Sequence, residues 1–100
     1  MKVSLIVAAS LLVLSGTAAA DQKLAQTKAC LSCHQVEKKV VGPAFKDVAN
    51  KYKGDAKAQE HLLAVIQKGG KGVWGTVPMP PQPMVKPDEA ATLVKWVLSL

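Results

Sequence analysis

The chain is 100 residues long, carries a formal net charge of +6 and is 49% hydrophobic. One domain is all this length supports, so two separate cores are excluded. The apolar residues are uneven: 14 fall in the first twenty positions, leaving about 44% over the remaining 80. That remainder holds only four aromatics, Phe45, Tyr52, Trp74 and Trp96. It is lean for a self-sufficient core, and scaffolds of this size often need a staple.

Lys2 is followed by an almost wholly apolar run of 12 residues, Val3 to Leu14, then Ser15-Gly16-Thr17 and Ala18-Ala19-Ala20. A positive start, an apolar middle and a small-residue exit predict a secretory signal peptide over residues 1–20. The run is too short to cross a bilayer as a helix, which takes about 20 residues. Cleavage leaves residues 21–100 as the working domain, at +5 because Lys2 is lost. Export implies an oxidising compartment, where disulfides are allowed.

Asp21 to Ala29 is expected to form the first helix, with Asp21 as its start signal. It leads into Cys30-Leu31-Ser32-Cys33-His34, which holds both cysteines of the chain. Three chemistries use this C-x-x-C-H spacing. Two thiols can add to the two vinyl groups of one porphyrin, with the following histidine on the iron, as in covalent c-type haem attachment. A dithiol redox site uses the same spacing, but normally where a strand enters a helix, and strand-like runs are nearly absent here. A structural disulfide across two residues closes too small a loop to constrain much of the unfolded chain. Zinc wants a second ligand pair, which is missing. Haem attachment is the favoured expectation, and a large planar apolar group would also supply the missing core.

Residues 35–42 read as loop. A second helix is expected from Pro43, which suits a first turn, with Phe45, Val48, Ala49 and Tyr52 on one face and Gly54 as its stop. A third is expected over Asp55 to Lys68, with Asp55 as N-cap and Ala58, Leu62, Leu63 and Ile66 as its apolar side. His61 falls off that face. Between Lys71 and Lys86 stand Gly72, Gly75, Pro78, Pro80, Pro81 and Pro83. They forbid a regular helix or central strand. Yet the stretch carries Val73, Trp74, Val77, Met79, Met84 and Val85, so it should lie against something large and apolar. A last helix runs from Pro87 to Leu100, with Ala90, Leu93, Val94, Val97 and Leu98 as its buried stripe. The fold class is all-α, with about four helices.

A haem held by one histidine leaves a sixth iron position, for which Met79, Met84, His61, a lysine, water or nothing are the candidates. Methionine raises the potential and suits electron transfer. Met79 is favoured, because prolines on both sides fix its backbone and lower the cost of holding its sulfur. Met84 is the backup, with packing as its other role.

Taken together, the chain resembles the small bacterial class I cytochromes c of the five-fifty-one type. The resemblance covers nearly all of residues 22–100. It rests on Ala29-Cys30-Leu31-Ser32-Cys33-His34, Val41-Gly42-Pro43-Ala44, Gly72-Val73-Trp74-Gly75, Val77-Pro78-Met79-Pro80-Pro81 and Leu93-Val94-Lys95-Trp96-Val97-Leu98, five motifs in order. The resemblance implies thioether bonds from Cys30 and Cys33, His34 as proximal ligand and Met79 as distal ligand. By the same likeness the Pro43 carbonyl accepts the other ring N–H of His34, and the indole of Trp74 faces a haem propionate. Three positions depart from the pattern. Leu24 and Ala25 stand where relatives often have an aromatic at the crossing of first and last helices. Val65 stands where some have an arginine near a propionate, and Gln82 where many have asparagine. The Gln82 amide either reaches the Met79 sulfur or lies on the surface.

All 13 basic residues are lysine, which weakens a nucleic-acid reading, because arginine is the usual bidentate reader of phosphate and guanine. Lys28, Lys38, Lys39, Lys68 and Lys71 flank the motif loops. They are expected to steer docking onto an acidic patch of a redox partner: an oxidase, a nitrite reductase, a peroxidase or a quinol-oxidising complex. A monomeric, periplasmic electron carrier without stable membrane insertion is the expected function. The rivals are a small-ligand-binding or weakly peroxidatic haem protein, and a haem-free thiol-disulfide oxidoreductase.

Overall fold

The computed structural model describes residues 15–100. The charged end and apolar middle of the expected leader, residues 1–14, lie outside the described residues. Four α-helices follow in chain order: α1 Ser15–Thr27, α2 Phe45–Lys51, α3 Ala58–Lys68 and α4 Pro87–Leu98. Among the described residues there is no strand, so the fold is all-α as expected.

Three helices begin elsewhere than the sequence suggests, each for a local reason. α1 runs back through Ala18-Ala19-Ala20, strong helix formers that place Asp21 inside the helix rather than at its start. α2 begins at Phe45, with Ala44 extended at its N-cap, instead of at Pro43. The Pro43 carbonyl is taken by the His34 ring, the Phe45 and Lys46 N–H groups donate to the Gln35 and Val36 carbonyls, and those of Asp47 and Val48 to the Ala44 carbonyl. Asp55 caps a preceding turn rather than α3 itself. Its carboxylate accepts the Lys57 N–H at 2.8 Å, and the helix proper starts at Ala58. α4 starts at Pro87 as expected, and the Glu89 side chain accepts the Lys86 N–H at 3.0 Å.

α4 is the spine against which α1, α2 and α3 all pack. The core gathers Ala25, Phe45, Val85, Ala90, Leu93 and Trp96. At the α1–α4 crossing stand small side chains. Ala25 and Ala90 are both 0% exposed, so the two helices can approach closely without a ring between them. Trp96, which the apolar stripe of α4 left out, is buried and meets Phe45 edge-on, with ring centroids 5.5 Å apart. No large side chain is fully buried among the described residues. The protein-built core is thin, and one side of it opens into a cavity.

Candidate haem-binding site

The wall that carries His34 is built by a chain reversal. Shortly after α1 comes Ala29, held left-handed at φ 64°, a conformation that strains alanine. The reversal leads into a single tight turn, in which the Cys33 and His34 N–H groups both donate to the Cys30 carbonyl. The Cys33 carbonyl in turn accepts the Val41 and Gly42 N–H groups at 3.1 and 2.7 Å. Residues 33–42 therefore form a closed loop, and His34 sits where it closes.

Three contacts fix the His34 ring. Its Nδ1–H donates to the Pro43 carbonyl at 2.8 Å. A carbonyl can only accept, so Nδ1 carries the proton and Nε2 is left as a lone-pair donor for a metal. One face stacks on Phe45, with centroids 4.8 Å apart and planes at 20°. Gly42 crosses the ring so closely that a Cβ there would stand 2.8 Å from Nδ1. Phe45 also meets Trp96, so the imidazole is braced through two aromatic rings against α4.

The opposing element is the Gly/Pro-rich stretch after α3. Gly69 takes φ 87° and turns the chain out of the helix. Gly70 and Met79 then exchange both backbone hydrogen bonds, at 3.0 and 2.7 Å, and the Gln82 N–H donates to the Ile66 carbonyl at 2.8 Å. Three backbone bonds thus hold the residue between the prolines to the end of α3. The Gln82 amide donates to the Pro80 carbonyl at 2.9 Å, which places it on the backbone of this turn rather than on the Met79 sulfur. Met84 neither lines the cavity nor packs: it is 79% exposed, and its carbonyl accepts the Lys28 ammonium. Val85 is buried in the core.

Between these elements lies one cavity of about 750 Å³. Its lining brings together Cys30, Cys33, His34, Pro43, Trp74 and Met79, six positions the sequence singled out. The apolar sides of α2, α3 and α4 add Val48, Leu62, Val65 and Leu93, and loop residues supply much of the rest. A site of roughly 300–1,000 Å³ with apolar walls and a few convergent polar groups suits a sizeable organic ligand. Two thiols in C-x-x-C spacing, a histidine with a free Nε2 and a thioether on one lining fit haem.

The charges are one-sided. Lys39, Lys68 and Lys71 line the cavity, and no carboxylate does. Lys38 lies outside the lining, and Lys28 is committed to Glu89, at 3.1 Å. Two lining groups have shifted proton affinity. Burial, with a smaller push from the Asp55 charge, raises the Tyr52 phenol, which stays a donor at neutral pH. Burial also raises the Cys30 thiol, with Cys33 adding to it and a backbone hydrogen bond partly offsetting the rise.

His61 is the lining residue that sequence periodicity missed. Expected on the surface, it is exposed on its outer side, yet it borders the cavity beside Tyr52, with ring centroids 5.5 Å apart. Only the turn placing α3 against the end of α2 puts it there, and no local pattern encodes that.

A helical shell around a cavity that gathers the attachment motif and a loop methionine is the class I cytochrome c fold. The cytochrome c family profile matches residues 18–100. The chain is 52% identical over 84 residues to cytochrome c-551 of Allochromatium vinosum, covering 84% of this chain and 89% of that protein. It is 48% identical over 93 residues to cytochrome c-552 of Nitrosomonas europaea, covering 93% of this chain and 90% of that protein. The crystal structure of wild-type Nitrosomonas europaea cytochrome c552 superposes with a TM-score of 0.77 at 47% identity, over 79% of this chain and 98% of that one. The chain belongs to the cytochrome c family, as a small class I monohaem member. With the motif at residues 30–34, membership indicates one covalently bound haem c.

Proposed function

We propose that this protein is a soluble periplasmic one-electron carrier. Cys30 and Cys33 anchor the haem by thioethers, and His34 and Met79 are the axial ligands. The observation that carries this reading is the shared lining of the four side chains, with His34 Nδ1 already engaged by Pro43. When bound, the haem supplies an iron centre that cycles between ferrous and ferric states. The chain's own part is to fix the ligands and keep water from them. The stacked Phe45 and the Pro43 carbonyl hold Nε2 of His34 in one direction. The backbone pair at Gly70 and Met79 holds the sulfur-bearing residue, so little rearranges between oxidation states. Trp74, at 39% exposure, borders both cavity and solvent, as suits an indole directed at a propionate. No substrate is transformed.

Residues 1–20 act as a signal peptide removed before Asp21. The family match begins only at residue 18, which suits that division. Among the described residues, no helix is long and apolar enough to cross a membrane. Docking uses the cavity mouth, where Val41 and Val77 are exposed beside Lys39, Lys68 and Lys71. This chemistry fits an acidic-rimmed redox partner: an oxidase, nitrite reductase, peroxidase or quinol-oxidising complex. The carrier acts as a monomer.

The thiol-disulfide rival gains nothing from the site. An attacking thiol is activated by a lowered pKa, whereas burial pushes Cys30 up. The test is expression in a host able to mature c-type haem. The expected product is exported, coloured and without titratable thiols, and its ferric form shows the long-wavelength sulfur-to-iron band of methionine ligation. A colourless, folded, exported protein with two free thiols refutes the reading. The docking arm predicts that electron exchange with the partner slows as salt rises. A rate independent of salt removes the lysines from it.

A further inference from the structure

The stretch from Met79 to Pro87 carries the candidate sulfur ligand back to the helical frame, and it is short of backbone ties. Pro80, Pro81 and Pro83 have no N–H to give. The Val85 N–H turns to the nearby Gln82 carbonyl, and the Lys86 N–H to the Glu89 side chain. Towards α3 the stretch is held by the Gly70–Met79 pair and by the Gln82 N–H on the Ile66 carbonyl. Towards α1, among the described residues, one hydrogen bond holds it: the Lys28 ammonium donates to the Met84 carbonyl at 3.2 Å. We propose that Lys28 is a positioning residue for the sixth iron position, and that its grip on the Met84 carbonyl slows release of the Met79 sulfur. The inference rests on the methionine-ligation reading above.

Three observations carry it. First, the Met84 side chain does not anchor the stretch, because the residue is 79% exposed; what is held there is its backbone. Second, Lys28 follows directly on α1 and precedes Cys30 by two residues. One side chain thus joins the stretch that bears the attachment cysteines to the stretch that bears the opposite ligand. Third, the ammonium is paired with Glu89 at 3.1 Å, with the two side chains 21% and 23% exposed. That pairing aims the ammonium, and a hydrogen bond from a charged donor is roughly twice as strong as a neutral one.

Release of the sulfur requires movement of the stretch that bears it. The fixed φ angles of the prolines stiffen residues 80–83, so a displacement at Met79 is passed on to Met84 rather than absorbed between them. Val85, next along, is buried in the core and stays in place. The movement is therefore taken up before Val85, and it breaks the bond from Lys28.

The experiment uses the haem-loaded ferric protein with imidazole as the probe. Imidazole replaces the thioether on the iron: one iron–sulfur bond breaks, one iron–nitrogen bond forms, and no electron moves. At saturating imidazole the observed rate levels off at the rate of sulfur release. Lys28→Met keeps the apolar stem and removes both bonds of the ammonium, and release should be roughly tenfold faster. Glu89→Gln removes the ion pair but leaves the Met84 bond, and should stay within about twofold of the parent. Lys28→Arg restores a charged donor and should return the rate towards that of the parent. In the reduced protein, Lys28→Met should also speed amide exchange at Gln82 but not at Val48 on α2. Release no faster in Lys28→Met, an equal rise in Glu89→Gln, or an exchange increase shared by Val48 overturns the inference. If Lys28→Met fails to fold, Lys28→Gln, with a shorter neutral donor, should release the sulfur at least about threefold faster, and an unchanged rate there overturns it too. A parent with the methionine-ligation band whose sulfur release is indifferent to Lys28 defeats this inference alone. A parent without that band, or without haem, defeats the reading beneath it.

Discussion

Gly42→Ala tests how tightly the His34 ring is held. The added Cβ would stand 2.8 Å from Nδ1 and 3.0 Å from Nε2, well inside normal contact. The ring cannot simply slide away. It is stacked on Phe45 at 4.8 Å, and its Nδ1–H is bonded to Pro43 at 2.8 Å. Either the stack is compressed, an overpacking cost of about 1–3 kcal/mol, or the hydrogen bond breaks, at about 1 kcal/mol. The backbone is not the obstacle, because Gly42 is not among the positive-φ glycines. A loss of about 2–3 kcal/mol is expected where both responses are partly taken. Urea unfolding of the haem-loaded protein measures it, and the ferric spectrum reports whether the ligand field at His34 has changed. A variant within about 0.5 kcal/mol of the parent, the range of ordinary surface substitutions, with an unchanged spectrum, refutes the claim that the imidazole is clamped.

Three further expectations follow from the same packing. Phe45→Ala removes the ring between His34 and Trp96 and should cost about 3–5 kcal/mol in urea unfolding, whereas Phe45→Leu should cost under about 1.5 kcal/mol; equal losses would show that the aromatic contacts, rather than volume, carry the stability. Gly69→Ala meets both a φ of 87° and the Met79 carbonyl at 2.8 Å. It should lose about 1–3 kcal/mol from backbone strain alone and weaken the methionine-ligation band, and an intact band at full stability would contradict this. Glu89 is held below the usual carboxylate range, first by the Lys86 N–H and then by Lys28. Its stabilising contribution is therefore present above about pH 4.5 and is lost as pH falls through the lower folded-state value. The Tm gap between the parent and Glu89→Gln should be widest near neutrality and close in acid, and a gap constant with pH would exclude the linkage.

Much of the site was legible in the sequence because its parts are local. C-x-x-C-H states its own spacing, and the prolines around Met79 mark a loop built to hold one residue. The apolar excess between Val73 and Val85 foretold a surface to lie against, and five of its six large apolar side chains line the cavity. What was not legible depends on partners distant in sequence. Pro43 reads as a helix start until its carbonyl is known to serve His34. Lys28 reads as one of the docking lysines until α1 meets α4 and pairs it with Glu89. In each case a tertiary contact overrode a sound local preference.

The reciprocal bonds between Gly70 and Met79 pinch the intervening residues, 71–78, into a ring closed at its neck. What lies within that ring is decoupled from what it holds. Val77 and Lys71 can change in kind, and the segment even in length, while the neck keeps the sulfur at the same station beside α3. The outward surface that meets partners and the inward atom proposed to meet iron thus belong to one continuous segment, yet they can be altered separately. New docking partners could be acquired through this ring without retuning the electron carrier behind it.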